Sequence, residues 1–322
     1  MPRVSIVTPS FNQAAFLEQT IRSVLEQEYA DVEYILIDGG STDGSQEIIR
    51  KYAGRLAYWS SEADRGQADA INKGMARAGG EIVAWLNSDD YYLPGAIPAA
   101  VEAFAANPDA ALVYGDMLAV DEAGRTINTL KYRPVSLEDL LCFQILGQPA
   151  VFMRRTAFEQ AGGLDTGFDL LLDHQLWLKL AQQGRLLHLV QLLAAARYHP
   201  EAKNRARAAG FGREAFRILE WAALQPGLLP ALRRTGRRAR ASAHRVEARY
   251  LLDAGQPGTS LRAWGRALLL HPPTALARLN LLGAALLELA GLGRLRARVL
   301  ERRRMRYIPI DPSDSAHQED SN

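Results

Sequence analysis

The feature that most constrains this chain is an apolar strand pattern that runs straight into acidic residues, Glu81-Ile-Val-Ala-Trp-Leu-Asn-Ser-Asp-Asp90. In α/β proteins, ligand crevices form at the carboxyl ends of such strands. Two adjacent carboxylates, Asp89 and Asp90, repel each other unless they share a cation. Oxygen ligands suit Mg2+ or Mn2+, and such an ion usually bridges substrate phosphates. Taken alone, the stretch favours a simpler interpretation, an Asx-rich turn that caps the next helix.

The segments before this stretch alternate between strand and helix patterns. Strands are predicted over 4–8, 32–37, 56–60 and 82–86, with Pro9 ending the first, and helical periodicity lies between them. This alternation predicts βαβ units and a largely parallel sheet, with the site at the carboxyl ends of its strands. Asp43 and Gln46 are predicted to form a capping box for the helix after the second strand.

Polar groups gather where three of the predicted strands end, at Pro9-Ser10, Asp38–Asp43 and Asn87–Asp90. Acids and glycines that converge on one sheet edge make a pocket for a polar ligand, and a nucleotide with a metal ion is the natural candidate. The sequence contains neither a P-loop nor a G-x-G-x-x-G motif. We therefore expect an ion held by the acids to balance the phosphate charge.

The composition is that of an ordinary globular protein, with 322 residues of which 48% are hydrophobic and 23% charged. The single cysteine, Cys142, excludes an internal disulfide and a cysteine-based zinc site, and it is consistent with a reducing compartment. No secretory signal precedes the first strand, and the Leu-rich stretch 268–292 has too many polar residues and breaks for a spanning helix. These features predict a cytoplasmic protein.

Four segments in the first 90 residues carry polar motifs in a fixed order. They are Val4-Ser-Ile-Val-Thr-Pro-Ser-Phe-Asn12, Asp38-Gly-Gly-Ser-Thr-Asp-Gly44, Asp64-Arg-Gly66 with Asp69-Ala-Ile-Asn-Lys-Gly74, and Leu86-Asn-Ser-Asp-Asp90. Together they resemble the glycosyltransferases of family 2, whose fold is GT-A, over residues 3–200. The resemblance implies a Rossmann-like, mostly parallel sheet flanked by helices within 1–205. A helical region over 206–306 and a disordered tail over 307–322 would follow.

The resemblance also implies roles for the residues at the strand ends. Asp89 would be the metal-binding aspartate of the family's D-x-D element, with Asp90 as a second ligand of Mg2+ or Mn2+. Asn87 stands where that element usually begins with an acid, and its amide can accept a hydrogen bond from a ribose but brings no charge. Donor-binding roles are expected for Pro9, Asp38, Asp69, Asn72, Asn87 and Ser88, and Pro9 and Asp38 would line the pocket for the donor's base.

A second acidic element, formed by Asp169 and Asp173, lies where a helical pattern begins near Leu172. By the resemblance, Asp173 would be the general base that deprotonates the acceptor hydroxyl, because an alcohol is a poor nucleophile at neutral pH. Two alternatives stay open. Asp173 could simply be an acid favoured by the helix dipole, or Asp169 could be the base, since Leu172 replaces one acid of the family's usual pair.

Two further segments are assigned to substrate contact. Arg197-Tyr-His199-Pro resembles the family's basic loop over the diphosphate, where positive charge would stabilise the leaving group, so Arg197 and His199 are predicted donor-binding residues. Gln148 is predicted to contact the acceptor, although packing against Pro149 explains it equally well.

The last third of the chain reverses the charge balance. Residues 1–200 contain 16 Lys and Arg against 25 Asp and Glu, whereas residues 201–322 contain 22 against 11. The helical pattern there predicts a cap packed on the first domain or, less favourably, one tetratricopeptide-like helical pair. Arginines at 233–240 and 294–306 could bind an anionic membrane surface, each contributing about 1 kcal/mol, or form a solvated helix face. Nucleic acid is not expected, because no stacking aromatics accompany them.

Taken together, these features predict an inverting glycosyltransferase that acts on the cytoplasmic side in cell-surface polysaccharide biosynthesis. It would move a sugar from a nucleotide-diphosphate donor to a hydroxyl of a glycan or lipid-linked acceptor; inversion is implied by the resemblance alone. One alternative is a nucleotidyltransferase on a related sheet, which should have a basic Gly-rich loop where Pro9-Ser-Phe-Asn12 stands. The other is a catalytically silent binding subunit, which Asn87 and Leu172 keep open.

Overall fold

The structure is a computed structural model that describes residues 1–199, 201, 203 and 207–293. The predictions for the arginines of 294–306 and for the tail over 307–322 lie outside the described residues. The strands are β1 (Val4–Ser10), β2 (Val32–Asp38), β3 (Tyr58–Ser61), β4 (Ile82–Trp85), β5 (Tyr91–Tyr92), β6 (Ala110–Val120), β7 (Thr126–Leu130), β8 (Val151–Arg154) and β9 (Arg185–Arg197).

The helices fall into two groups along the chain. Those among the strands are α1 (Ala14–Leu25), α2 (Ser45–Tyr52), α3 (Gln67–Met75), α4 (Ala96–Ala106), α5 (Leu137–Leu141), α6 (Arg155–Gln160) and α7 (Leu172–Leu180). Those after the strands are α8 (Phe211–Ala223), α9 (Leu229–Asp253), α10 (Pro257–Leu270), α11 (Pro272–Leu276) and α12 (Leu279–Leu289). The first three breaks between these helices fall at Pro226-Gly227, at Gly255 and at His271.

In the described chain, nine strands form one sheet in the order β3-β2-β1-β4-β8-β6-β9-β5, and β7 pairs with β6. The first four strands are parallel, as the βαβ pattern predicts. The others make the sheet mixed, because β8 joins β4 and β6 antiparallel while β9 runs parallel to β6. β1 continues two residues past its predicted end at Thr8. It pairs with β4 only as far as Val7, so the missing N–H of Pro9 costs no bond on that side.

The sheet has a hydrophobic layer on each face. One layer holds α1 and α4 against the sheet, and the other holds α3, α7, α8 and α9. Trp85 of β4 stacks on Trp177 of α7 with ring centroids 5.4 Å apart. Gly74 lets α3 approach β1 closely, since a Cβ there would lie 2.4 Å from Cγ1 of Val7. These contacts fix α3 and α7 over the carboxyl edge of the sheet.

The predicted capping box at the start of α2 is wrong. Gly44, at φ 99°, is the residue before the helix, and no side chain caps it. The carboxylate of Asp43 accepts hydrogen bonds from the Ala14 N–H at 2.8 Å and from Ser45, while the Gln46 amide donates to the Ser41 carbonyl. Asp43 therefore ties the start of α1 to the loop after β2, a contact between segments about 30 residues apart.

Of the C-terminal helices, α8 and α9 pack on the sheet domain as a helical cap, and α10 and α11 pack on α9. Phe211, Ile218 and Val246 belong to the same core layer as α7. Arg234 and Arg238 of α9 form ion pairs with Glu138 and Asp139 respectively, so two arginines of the 233–240 cluster contact protein. Within the described residues, no helix is both long and apolar enough to cross a membrane.

Candidate active site

A cleft of about 870 Å³ opens at the carboxyl ends of β1 and β4, bordered by the start of α7 and the end of β9. Its lining includes eight of the predicted site residues: Pro9, Asn87, Ser88, Asp89, Asp90, Gln148, Asp173 and Arg197. The ends of β1 and β4 and the start of α7 therefore share one hollow. Four other predicted residues, Asp38, Asp69, Asn72 and His199, do not belong to this lining.

Asp38 is buried and shapes the loop beside the cleft, which corrects the prediction that it lines the pocket. Its carboxylate accepts hydrogen bonds from the Ser41 N–H at 2.9 Å, the Ser41 hydroxyl at 2.5 Å and the Ser61 hydroxyl at 2.6 Å. Gly39, the next residue, takes the lining position. A side chain there would collide with Asp64, because a Cβ would lie 2.9 Å from Oδ2 of that residue.

Asp69 and Asn72 on α3 hold neighbouring segments in place. Asp69 pairs with Arg65 at 2.7 Å and with Lys73 at 3.3 Å, and the hydrogen bond from Arg65 is the main reason that the pKa of Asp69 falls to about 2. The Asn72 amide exchanges two hydrogen bonds with the backbone of Leu164. Both residues lie beside the cleft, and their described contacts are with protein.

The acidic turn after β4 exposes one carboxylate to the cleft and buries the other. Asp90 accepts hydrogen bonds from the Arg197 N–H at 2.9 Å and from the Asn87 amide at 3.3 Å. Burial, aided by the charge of Asp89, raises the pKa of Asp90 well above its usual value. The Asp89 side chain is 21% exposed, and its Oδ2 lies 3.0 Å from Nε2 of His199. The geometry therefore favours Asp89 over Asp90 as a metal ligand.

Arg197 stabilises the acidic turn through hydrogen bonds from its guanidinium group. Its guanidinium donates to the carbonyls of Asp89, Asp121 and Glu122 and to the Gln19 side chain. Since four of its hydrogen bonds go to protein, Arg197 holds the turn against the end of β9. His199 packs on Phe16 with ring centroids 4.9 Å apart and presents its nitrogen to Asp89.

The donor set around Asp89 is small. The described residues contain no group of three or more His, Cys, Asp or Glu side chains placed to hold a metal ion. Asp89 and His199 offer one oxygen and one nitrogen. A divalent ion would fit here if the remaining ligands came from water and substrate phosphates, which is how Mg2+ usually binds in such sites.

A chain of amides crosses the floor of the cleft. The Gln67 amide donates to Oδ1 of Asn87 at 2.6 Å, the Asn87 amide donates to Oε1 of Gln148 at 3.0 Å, and the Gln148 amide donates to the Trp85 carbonyl at 2.8 Å. Lys203 donates to Oε1 of Gln67 at 3.0 Å. Asn87 thus acts as acceptor and donor at once. An aspartate could not donate to Gln148, which explains the amide at this position.

The acidic element at α7 also separates two acids. Asp173, in the first turn, accepts the His174 N–H at 2.7 Å, and burial raises the pKa of its carboxyl to about 6. Asp169 pairs with Lys203 at 2.5 Å and with Arg207. Burial opposes ionisation of Asp169, yet these two cations lower its pKa below the usual value. Asp173 is therefore the acid left to accept a proton.

Several lining residues were missed by the sequence analysis. Gln67, Lys203 and Arg207 line the cleft, as does Tyr250 from α9. Glu214 of α8 lies behind the acidic element, where its carboxylate accepts three backbone N–H groups, those of Asp169, Leu170 and Leu171, at 2.8–3.0 Å. Lys203 and Arg207 could have been found from the sequence, because they follow the predicted basic loop closely. No comparable sequence signal marks the other missed residues.

Sequence comparisons identify relatives of this chain. The family described as glycosyl transferase family 2 matches residues 5–160. An uncharacterised glycosyltransferase of Mycobacterium tuberculosis is 32% identical over 187 residues, which cover 56% of this chain and 69% of the relative. TuaG of Bacillus subtilis, a putative teichuronic acid biosynthesis glycosyltransferase, is 31% identical over 189 residues, which cover 57% of this chain and 73% of TuaG.

Solved structures share the fold. The mannosyltransferase PcManGT of Pyrobaculum calidifontis, in complex with GDP-Man and Mn2+, superposes with a TM-score of 0.59 at 22% identity and covers 91% of this chain and 87% of its own. S. aureus TarS in complex with UDP-GlcNAc gives a TM-score of 0.59 at 15% identity and covers 85% and 90%. The mixed sheet with its flanking helices is thus the GT-A fold, as the sequence predicts.

Proposed function

The chain belongs to glycosyl transferase family 2, and on that premise we propose that it is an inverting transferase of cell-surface polysaccharide biosynthesis. It moves a sugar from a nucleotide-diphosphate donor to a hydroxyl of a glycan or lipid-linked acceptor. Relatives named for teichuronic acid and O-antigen biosynthesis and for chondroitin synthesis support the pathway class. The nucleotide sugars named with the solved neighbours support the donor class.

The donor diphosphate lies against the acidic turn in this proposal. Asp89 and His199 would hold a divalent ion, Mg2+ or Mn2+, which would neutralise charge on the diphosphate when bound. Asn87 and Ser88 border the same position, and Pro9 with Gly39 borders the end of the cleft nearest β2. Lys203 and Arg207, which pair with Asp169, line the α7 side of the cleft. Their positive charge would help to balance the charge that develops on the leaving group.

Asp173 acts as the general base. It takes the proton from the acceptor hydroxyl, the acceptor oxygen bonds to the anomeric carbon, and the bond from that carbon to the diphosphate oxygen breaks. The bonding electrons leave with the nucleotide diphosphate, and the proton stays on Asp173. Such a base contributes on the order of a hundred- to ten-thousand-fold in rate. Gln148, fixed by Trp85 and Asn87, lies within reach of either substrate.

One observation carries the proposal: Asp89 and Asp173 line the same cleft, and each is the member of its acidic pair that its neighbours leave available. Asp90 is bound by Arg197, and Asp169 is bound by two cations. All four acids line the cleft, but contacts of this kind hold only one acid of each pair, which leaves Asp89 and Asp173 to act on bound substrates.

The test is a panel of nucleotide sugars with Mg2+ or Mn2+, read by thermal shift and by release of nucleoside diphosphate. We expect one donor to give a metal-dependent shift and slow hydrolysis, and Asp89→Ala to remove the metal-dependent part of the shift. Asp173→Asn should keep the shift and lose turnover. Metal-strengthened nucleotide binding without any turnover would instead favour a catalytically silent binding subunit.

We also propose that the protein works on the cytoplasmic side of the membrane, where nucleotide sugars are the donors. Peripheral contact with anionic lipid would depend mainly on the arginine-rich sequence 294–306, because Arg234 and Arg238 of the earlier cluster already pair with carboxylates. Co-sedimentation with anionic vesicles, compared for the full chain and a variant with the arginines of 294–306 changed to glutamine, tests this contact.

A further inference from the structure

A second cavity, of about 240 Å³, lies between α5 with its following loop and the helices α9 and α11. It shares no lining residue with the cleft described above. Its polar lining comes from two arginines, one carboxylate, two hydroxyls, one amide and one imidazole: Arg238, Arg245, Asp139, Ser242, Thr274, Gln144 and His271. Positive charge thus exceeds negative charge among these side chains.

Arg245 has no carboxylate partner among the described residues. The one carboxylate in the lining, Asp139, accepts hydrogen bonds from Arg133 and from Arg238, both at 3.2 Å. Arg245 donates only to carbonyls, those of Phe143 at 3.1 Å and Cys142 at 3.5 Å, and it forms no ion pair with a described carboxylate. Arg245 is partly buried, and a charge withdrawn from water is costly unless a counter-charge is supplied.

We propose that this cavity is an anion site that takes a phosphate group, free or as the terminal group of a larger molecule, through Arg245 and Arg238. Guanidinium groups bind phosphate oxygens with paired, charge-assisted hydrogen bonds. The Thr274 hydroxyl, which lies 2.8 Å from Nδ1 of His271, stands beside them in the lining. Burial, together with the nearby Arg278 and Arg249, lowers the pKa of Arg245. An anion in the cavity would relieve that repulsion.

The wall of the cavity touches the helix that carries the proposed base. Phe143, whose carbonyl accepts from Arg245, has a φ of 55°, a left-handed conformation that is strained for a bulky residue. Its ring stacks on His174, with centroids 5.1 Å apart, and the His174 Nε2 lies 2.9 Å from the Leu140 carbonyl. An anion that orders this loop would therefore change the packing around His174, the residue next to Asp173.

Two sources of phosphate fit the position. A soluble phosphate could enter directly, since the cavity is open to solvent. A lipid phosphate could also reach it, because Leu276 and Leu279, which flank the lining residue Ala277, are 49% and 53% exposed. The experiment therefore uses inorganic phosphate in one arm and phosphatidylcholine vesicles with or without phosphatidic acid in the other.

Amide hydrogen exchange across 139–144 is the local readout, with chloride at matched ionic strength as the reference. We expect phosphate, or vesicles that contain phosphatidic acid, to slow exchange in the wild type. The apparent affinity should weaken about tenfold in Arg245→Gln and in Arg238→Gln, the loss expected for one charged hydrogen-bonding group. Arg237→Gln removes the same charge from an exposed position of the same helix and should behave as wild type.

Each outcome supports or overturns the proposed anion site. Protection by inorganic phosphate that Arg245→Gln weakens supports a site for soluble phosphate, and protection by vesicles alone that Arg245→Gln weakens supports the same site for lipid phosphate. Should Arg245→Gln fail to fold, Arg238→Gln gives the same comparison from a side chain that is 46% exposed. No protection by either probe, or equal protection in wild type and both cavity variants, would overturn the proposal.

Discussion

The acidic turn after β4 and the acidic element at the start of α7 both hold one acid of a pair in contacts with protein, but they use different partners. Each brings two carboxylates to the cleft, and each binds one of them in protein contacts. In the turn, a backbone N–H from β9 and an amide hold Asp90, which is buried and favours its neutral form. At α7, two cations hold Asp169 in its ionised form.

The difference shows that the partners of an acid, and not its place in a motif, decide what it can do. Asp89 keeps an exposed oxygen next to a histidine nitrogen, an arrangement that suits a metal ion. Asp173 has no cation within ion-pairing distance among the described residues, and its raised pKa suits proton transfer. Exchanging the two environments would exchange the two roles.

The largest effect is expected from breaking the proposed base. Asp173→Asn should lower kcat/KM for sugar transfer by a hundred- to ten-thousand-fold, because the acceptor loses its proton acceptor. Asp169→Asn is the matched control and should stay within about tenfold of wild type, since it removes partly exposed ion pairs. Equal losses in the two variants would remove the distinction between these acids.

The turn after β4 gives the next largest effect. Asp89→Asn should weaken metal-dependent nucleotide binding by at least about tenfold, the scale on which even supporting groups of metal sites act. Asp90→Asn should keep most of that binding, because an amide can still accept the Arg197 N–H. Calorimetric titration of a nucleoside diphosphate, with and without Mn2+, measures both. If Asp90→Asn proved the more damaging change, our choice of ligand would be wrong.

The support behind α7 can be tested through stability. Glu214→Ala leaves three backbone N–H groups near the start of α7 without their acceptor, so the free energy of unfolding should fall by about 3 kcal/mol. Glu220→Ala makes the same change at an exposed position of α8 and should have little effect. Chemical denaturation of both variants provides the comparison; similar midpoints would show that Glu214 does not hold this segment.

The smallest effect concerns the cost of burying the charge of Asp173. Its pKa is raised from 3.8 to about 6, so the ionised form destabilises the folded state fully above pH 6, and the penalty disappears as pH falls towards 3.8. Asp173→Asn should therefore raise the free energy of unfolding at pH 8 by about 1–3 kcal/mol. At pH 4 the gain should largely vanish, as thermal or denaturant unfolding at both values would reveal.

The parallel half of the sheet and the position of the cleft could be predicted from sequence because both follow from local patterns, whereas the GT-A fold as a whole was implied by the resemblance. The βαβ alternation orders the first strands, and the residues after β1 and β4 must then meet at one edge. The mixed half of the sheet could not be read in this way. Apart from the hairpin of β6 and β7, its strands pair across long separations, and no local pattern sets their direction.

The contacts that hold each acid could not be predicted from the sequence either. Asp90 is fixed by Arg197, which is 107 residues away, and Asp169 by Lys203, 34 residues away. Asp38 was assigned to the pocket wall, but serines from two different segments enclose its carboxylate. In each case the deciding contact is between segments that only the folded chain brings together.

The most direct test of the role of Asp173 is the pH dependence of kcat/KM for sugar transfer, measured with saturating metal in the wild type and in Asp169→Asn. Because the base must be ionised to accept a proton and its pKa is about 6, both profiles should fall with unit slope below that value and level off above it. A profile that stays flat from pH 7 down to pH 5 in the wild type would contradict the assignment of Asp173 as the base.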